Sequence, residues 1–257
     1  MDDLRDVTAA VLAGGLGTRL RPAVDDRPKA LAPVAGRPFL AYVLDRLATA
    51  GVRHVVLCTG YRGAQIRACF GDHYCGLRLA YSQEPAPLGT AGSLGLALPH
   101  LASDPVLVVN GDSACEADLG EFLGWHAARR AAASLALARV PDASRYGRVD
   151  VDAAGAVLRF EEKGGGGPGW INGGVYLLGR ALLDAIPAGC PCSLEREVFP
   201  TWVGRGLHGW RGGGRFLDIG VPEDYAIAPR FFAPEPFRPG ADASPLLYAA
   251  GGGRGWR

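Results

Sequence analysis

The sequence predicts an α/β fold with a mostly parallel central sheet flanked by helices, and three observations carry that prediction. Strand-like apolar runs alternate with helix-period segments through the first two-thirds of the chain. The run from Pro105 to Val109 is wholly apolar, the composition of a central strand buried on both faces. The first apolar run ends in a glycine-rich turn, at the strand end where open α/β sheets bind ligands.

Val7 to Leu12 reads as the first strand. Pro38 to Ala50 sets Phe39, Leu40, Val43, Leu44 and Leu47 on one helical face and turns Asp45 and Arg46 outward. His54 to Thr59 and Leu77 to Ser82 are the next strands, followed by Pro105 to Val109, which leads directly into Asn110-Gly111-Asp112. After Ala133 come shorter strands, Ser134 to Val140, Arg148 to Val151, Ala156 to Phe160 and Gly174 to Leu178, separated by turn residues that include Asp142 and Gly155. This half reads as α+β built onto the first sheet. Gly164 to Gly169 is glycine except for Pro168, which predicts a mobile loop. Residues 1–232 are expected to form one domain. Residues 233–257, rich in Pro, Gly and Ala without periodicity, are expected to be a disordered tail.

A length of 257 residues with 48% hydrophobic content is ample for a buried core. A formal net charge of +1 excludes a broad basic surface for nucleic acid, and no run of like charges suits an anionic membrane. A small ligand is the expected partner. The opening stretch MDDLRDVTAAVLAGG has no basic segment before its short apolar run, and no later run reaches bilayer length, so a cytoplasmic location is expected. The six cysteines need no disulfide framework in a chain of this size. Cys58, Cys69, Cys75 and Cys115 read as small core residues, and Cys190-Pro191-Cys192 lacks a second Cys or His pair at metal-finger spacing. The five histidines are dispersed and read as structural.

The segment Leu12 to Pro22, LAGGLGTRLRP, carries the clearest chemistry. Gly14, Gly15 and Gly17 permit close approach of backbone N–H groups to an oxyanion, and Arg19 and Arg21 add fixed charge. Glycine alone would also explain a tight strand-to-helix turn, but not the arginines. A Walker loop requires Lys-Ser or Lys-Thr after its second glycine, and none is present. A dinucleotide fingerprint requires glycine where Leu20 stands and an acid closing the second strand, where Thr59-Gly60 is found.

LAGGLGTRLRP, followed by Arg27-Pro28-Lys29-Ala30-Leu31, resembles the signature of sugar-1-phosphate nucleotidyltransferases. The resemblance continues in order through PLGTAGS at 87–93, NGD at 110–112, RYG at 145–147, FEEK at 160–163, INGG at 171–174 and DIG at 218–220. It implies a Rossmann-like nucleotidyltransferase fold with a mixed, mostly parallel sheet. It also implies transfer of a nucleotidyl group from a nucleoside triphosphate to a sugar 1-phosphate. Such a reaction joins two polyanions, so its site must supply a metal and fixed cations more than acid or base groups. A phosphate monoester is mostly dianionic at neutral pH, its second pKa being about 6, and no general base is required. Asp112 and Asp218, each at a strand end, can hold one hard cation, normally Mg2+, and the resemblance makes them the metal ligands.

By the same resemblance Leu12, Gly14, Gly15, Gly17, Thr18, Glu84, Gly89 and Asp112 bind the nucleotide. Arg19 meets the leaving pyrophosphate and Lys29 the triphosphate. Lys163 neutralises the acceptor phosphate, and Glu162, Asn172 and the Gly147 backbone complete the sugar pocket. Relatives using uridine or thymidine triphosphate often carry Gln where Glu84 stands. A carboxylate only accepts, and guanine presents two neighbouring donors, so GTP is the expected nucleotide. GRPFLAYVLDRL, SLEREVFP and DIGVPEDY are most similar to D-glycero-D-manno-heptose 1-phosphate guanylyltransferases, with mannose-1-phosphate guanylyltransferases close behind. Uridylyl and thymidylyl transfer, and a non-catalytic sugar-nucleotide sensor, are the alternatives. A sensor would have no need of Arg19, Lys29, Asp112 and Asp218 together. The glycine run after FEEK departs from many relatives and bears on the acceptor. The chain ends soon after DIG, without the β-helix extension of some relatives, so a single reaction is expected. The oligomeric state, a homo-oligomer included, is left open.

Overall fold

The computed structural model describes residues 3–20, 24–162, 166–187 and 189–233. Fourteen strands are found among them: β1 (Thr8–Ala13), β2 (Pro33–Val34), β3 (Arg37–Pro38), β4 (His54–Thr59), β5 (His73–Tyr74), β6 (Leu77–Gln83), β7 (Val106–Asn110), β8 (Ser113–Cys115), β9 (Ala133–Val140), β10 (Gly147–Val151), β11 (Val157–Glu162), β12 (Gly169–Leu178), β13 (Leu207–Trp210) and β14 (Phe216–Asp218). Ten of them form one sheet in the order β11-β10-β12-β7-β1-β4-β6-β5, with β9 on β12 and β13 on β9. β7, β1, β4 and β6 run parallel, and β12 joins β7 antiparallel. The sheet is therefore mixed, as expected, and the shorter strands extend the first sheet directly.

Alternation along the central strands explains why both faces are covered. In β1, Ala9 and Val11 pack into one core and Ala10 into the other; in β7, Leu107 and Val109 face the first while Val106 and Val108 face the second. Helix α1 (Phe39–Thr49) fills the first core with Phe39, Leu40, Val43, Leu44 and Leu47, all buried. Helix α2 (Gly63–Phe70) adds Ile66 and Phe70 to the same core, and on the other face α3 (Gly89–Ala97) contributes Ala91, Leu94 and Ala97. Among the described residues no helix is long and apolar enough to cross a membrane.

Several expectations need correction. Asp45 and Arg46 are half-buried rather than outward. Asp45 accepts from Arg37 at 2.6 Å and from the Tyr74 hydroxyl at 2.9 Å, while Arg46 donates to the Ala117 carbonyl. The β5–β6 hairpin and the segment after β8 close over that side of α1, and burial lowers the Arg46 pKa. Cys75 is exposed, because with Gly76 it makes the two-residue turn of that hairpin, both with positive φ (46° and 82°). Cys69 is half-buried, whereas Cys58 and Cys115 are buried. β12 begins at Gly169, five residues before Gly174, because Trp170 and Ile171 already pair with Arg139 and Ala138 of β9. The tail expected at 233–257 lies, but for Ala233, outside the described residues.

Candidate active site

β1 delivers the glycine loop to the carboxyl edge of the parallel strands. A Cβ on Gly14 would stand 2.8 Å from Glu84 Oε1, and one on Gly17 would meet the Lys29 side chain at 3.1 Å. Gly17 also has φ +60°, where a side chain is strained. A cleft of about 330 Å³ opens here, lined by Leu12, Gly15, Gly17, Thr18, Arg19, Lys29, Asp112 and Gly220 among others. Thr18 and Arg19 are exposed in it. Arg21 lies outside the described residues.

Two carboxylates converge at the cleft from separate strands. Asp112 follows β7 through Gly111, whose N–H donates to the Leu12 carbonyl at 2.9 Å and whose missing Cβ admits that approach. Asp218 ends β14, paired in register with Ser113 of β8. Lys29, on the single turn Lys29–Leu31, donates to Asp112 Oδ2 at 2.9 Å and to Asp218 Oδ1 at 3.0 Å. Its side chain is only 10% exposed. Burial alone would lower the Lys29 pKa, but attraction and hydrogen bonds from Asp112 and Asp218 outweigh it and raise the pKa. The ammonium thus marks a position where two carboxylate oxygens already meet one cation. Such an all-oxygen pair fits a hard divalent ion that takes its remaining ligands from water and phosphate.

Glu84 follows β6, and its amide donates to the Thr59 carbonyl of neighbouring β4 at 2.9 Å. It is 9% exposed and packs against the backbone of Gly14 and Gly60, where a Cβ would come within 2.8 and 2.6 Å of Oε1. Burial raises its pKa, partly offset by the Leu88 N–H that Oε2 accepts at 3.1 Å. One Glu84 oxygen is therefore already engaged by the N–H of Leu88, the residue that precedes α3. Gly89, with φ +71°, opens that helix, and its absent Cβ lets the Cys192 carbonyl approach.

The expected acceptor residues gather on the antiparallel strands. Gly147 of β10 pairs in register with Glu162 of β11, and Arg148 with Ile171 of β12. Asn172 sits just before a register shift in the β12–β9 pairing, at Gly173-Gly174, where Gly174 has φ +71°. Its Oδ1 accepts the Gly174 N–H at 3.0 Å and its Nδ2 donates to the Tyr176 hydroxyl at 2.8 Å. Lys163 and the Glu162 side chain lie outside the described residues. The structure adds residues to which sequence reasoning attached no role. Tyr176 is fully buried and donates to Glu195, which also accepts from Thr90 and Ser193. Thr90 and Glu195 fall inside PLGTAGS and SLEREVFP, but Tyr176 carries no signal beyond the periodicity of a strand.

A glycine-lined cleft at the carboxyl edge of a mostly parallel sheet, with paired carboxylates and basic side chains, defines a site for phosphate-bearing ligands. The chain belongs to the nucleotidyl transferase family, whose model matches residues 8–226. It is 40% identical to the mannose-1-phosphate guanylyltransferase of Mycobacterium tuberculosis over 251 residues, covering 94% of this chain and 70% of that one. It is 35% identical to the D-glycero-alpha-D-manno-heptose 1-phosphate guanylyltransferase of Aneurinibacillus thermoaerophilus, covering 86% and 96%. The crystal structure of HddC from Yersinia pseudotuberculosis superposes with a TM-score of 0.80 at 31% identity, covering 88% of this chain and 100% of that one. The same protein complexed with GMP-PN gives a TM-score of 0.78.

Proposed function

We propose that this chain transfers a guanylyl group from GTP to a sugar 1-phosphate of manno configuration, in the cytoplasm. An oxygen of the sugar phosphate forms a bond to the α-phosphorus, and the bond from that phosphorus to the bridging oxygen breaks, releasing pyrophosphate. The observation that carries this reading is the convergence of Asp112 and Asp218 on one cation position beside a glycine loop. Asp112 and Asp218 would hold Mg2+, which when bound offsets charge on the α-phosphate and the attacking oxygen.

The N–H groups around Gly14, Gly15, Gly17 and Thr18 cradle the triphosphate, and Leu12 and Gly89 border the nucleoside. Arg19 faces the leaving pyrophosphate, where charge develops, and Lys29 adds a buried positive charge at the triphosphate. Glu84 reads guanine with the acceptor capacity left after capping Leu88 N–H. Lys163 binds the acceptor phosphate, while Glu162, Asn172 and the Gly147 backbone bind sugar hydroxyls.

The relatives' names support guanine, and HddC's GMP-PN complex supports a guanine nucleotide in this fold. Of the two acceptors, D-glycero-D-manno-heptose 1-phosphate is supported by the name of a 35% identical relative spanned almost end to end. Mannose 1-phosphate is supported by the 40% identity over 94% of the chain. A turnover panel crossing four nucleoside triphosphates with mannose, heptose and glucose 1-phosphates, read by pyrophosphate release, tests the reading. GTP with a manno-configured acceptor is the expected best pair, and preference for UTP, dTTP or glucose 1-phosphate would overturn it.

A further inference from the structure

Beyond the residues that would touch substrate, one carboxylate joins α3 to β12. Glu195 lies in the π-helical turn Leu194–Val198, a conformation that recurs at functional sites. Its Oε2 accepts from Thr90 Oγ1 at 2.8 Å and Ser193 Oγ at 2.9 Å, and its Oε1 accepts from the Tyr176 hydroxyl at 3.1 Å. Thr90 is anchored in turn, because Oγ1 accepts the Leu194 N–H at 2.8 Å. Alongside, the Cys192 carbonyl accepts the Ala91 and Gly92 N–H groups at the start of α3. The carboxylate is thus tied to the helix that opens at Gly89 on the nucleotide side.

Its effect on the acceptor side follows from proton counting. A carboxylate only accepts, so the single phenolic proton of Tyr176 must point at Glu195. The Tyr176 oxygen is then left to accept, and what it accepts is the Asn172 NH2 at 2.8 Å. At the other end of the same amide, Oδ1 takes the Gly174 N–H at 3.0 Å. Both ends of Asn172 are specified, and the amide cannot rotate end for end without setting donor against donor. Tyr176 is fully buried, so water does not relax this order. Burial, with Glu195 beside it, also holds the phenol well above its ordinary pKa and keeps it a neutral donor.

We propose that Glu195 is a positioning residue that fixes the hydrogen-bond polarity of the acceptor pocket, acting through Tyr176 on Asn172. The inference rests on the proposed placement of Asn172 in that pocket. Glu195→Gln would set a donor against one or more of the three hydroxyls and let the Tyr176 proton reverse. A merely structural Glu195 would tie residues 193–198 to the fold, and its loss would lower stability without preference between substrates.

The test is steady-state kinetics with GTP and mannose 1-phosphate, with the heptose 1-phosphate if the wild-type enzyme prefers it, on Glu195→Gln, Tyr176→Phe, their double variant and Asn172→Ala. The expected result is that Glu195→Gln and Tyr176→Phe each raise KM for the sugar phosphate by about fivefold or more while KM for GTP stays within about twofold. The double variant should be no worse than Tyr176→Phe alone, since Glu195 acts through that hydroxyl. Tyr176→Phe deletes one oxygen only and reports on the relay even if Glu195→Gln folds poorly. If Asn172→Ala weakens acceptor use but the two relay variants change both KM values equally or neither, the positioning role is wrong and the pocket assignment stands. If Asn172→Ala leaves acceptor use unchanged, the pocket assignment itself fails, and the inference with it.

Discussion

In the parallel half of the sheet, the glycine-rich backbone after β1 lines the cleft together with Asp112 beyond β7, while β4 and β6 extend the sheet beside β1. In the antiparallel half, β10 and β12 carry their groups on side chains and strand pairings, and β12 is secured through Tyr176 and Glu195 to Thr90, far away in the chain. The two halves meet where β12 joins β7, beside Asn110 and Asp112. Phosphate presents the same oxyanions in every nucleotide, and a rigid backbone cradle suits it. Sugars differ only in the placing of hydroxyls, and side-chain polarity is what distinguishes them. The parallel half should therefore be intolerant of backbone change, and the antiparallel half of isosteric polar change.

The largest effect is expected at the seam. Asp112→Asn and Asp218→Asn keep side-chain size but remove charge from the proposed Mg2+ position, and each should cut kcat by about a hundredfold or more, roughly 2.7 kcal/mol. Circular dichroism should show the fold intact. Near wild-type rates in either variant at saturating magnesium would place the metal elsewhere.

Glu84→Gln comes next. Setting an amide donor against a guanine donor should cost about 1–3 kcal/mol of discrimination, roughly tenfold to a hundredfold in the GTP-to-UTP ratio of kcat/KM. An unchanged ratio would mean that Glu84 serves only as the cap on Leu88 N–H.

The smallest effects separate two glycines. Gly89→Ala places a Cβ 2.6 Å from the Cys192 carbonyl at φ +71°, and should lower stability by about 1–3 kcal/mol in thermal melts. Gly15 has nothing within 4 Å of an added Cβ, so Gly15→Ala should melt within a few degrees of wild type while raising KM for GTP severalfold. Equal melting temperatures for the two variants would contradict the close packing of the Cys192 loop on α3.

The parallel half was legible because its pieces are contiguous. β4 was read to the residue, and the loop from Leu12 to Arg19 and the NGD turn each present their chemistry within a few positions. The pairing of Asp112 with Asp218 came only through resemblance, since nothing local links a β7 end to β14. The relay on Glu195 escaped altogether: Thr90 and Glu195 are 105 positions apart, and a buried Tyr on a strand is an ordinary core residue until its partner is known. Asp45 and Arg46 were misplaced for a similar reason. Helical periodicity reports which face is apolar, not that a hairpin at 73–78 will fold over the polar one. Cys75 was assigned by residue type, and the turn geometry at Cys75-Gly76 prevailed.

If the two halves of the sheet serve the two substrates of one transfer, the path of labelled phosphate follows from it. With wild-type protein, Mg2+, manno-configured sugar 1-phosphate and GTP labelled at the α-phosphorus, the label should appear in a GDP-sugar, with unlabelled pyrophosphate released in equal amount. Label recovered as GMP or GDP, or label remaining in GTP with either manno-configured acceptor present, would contradict it.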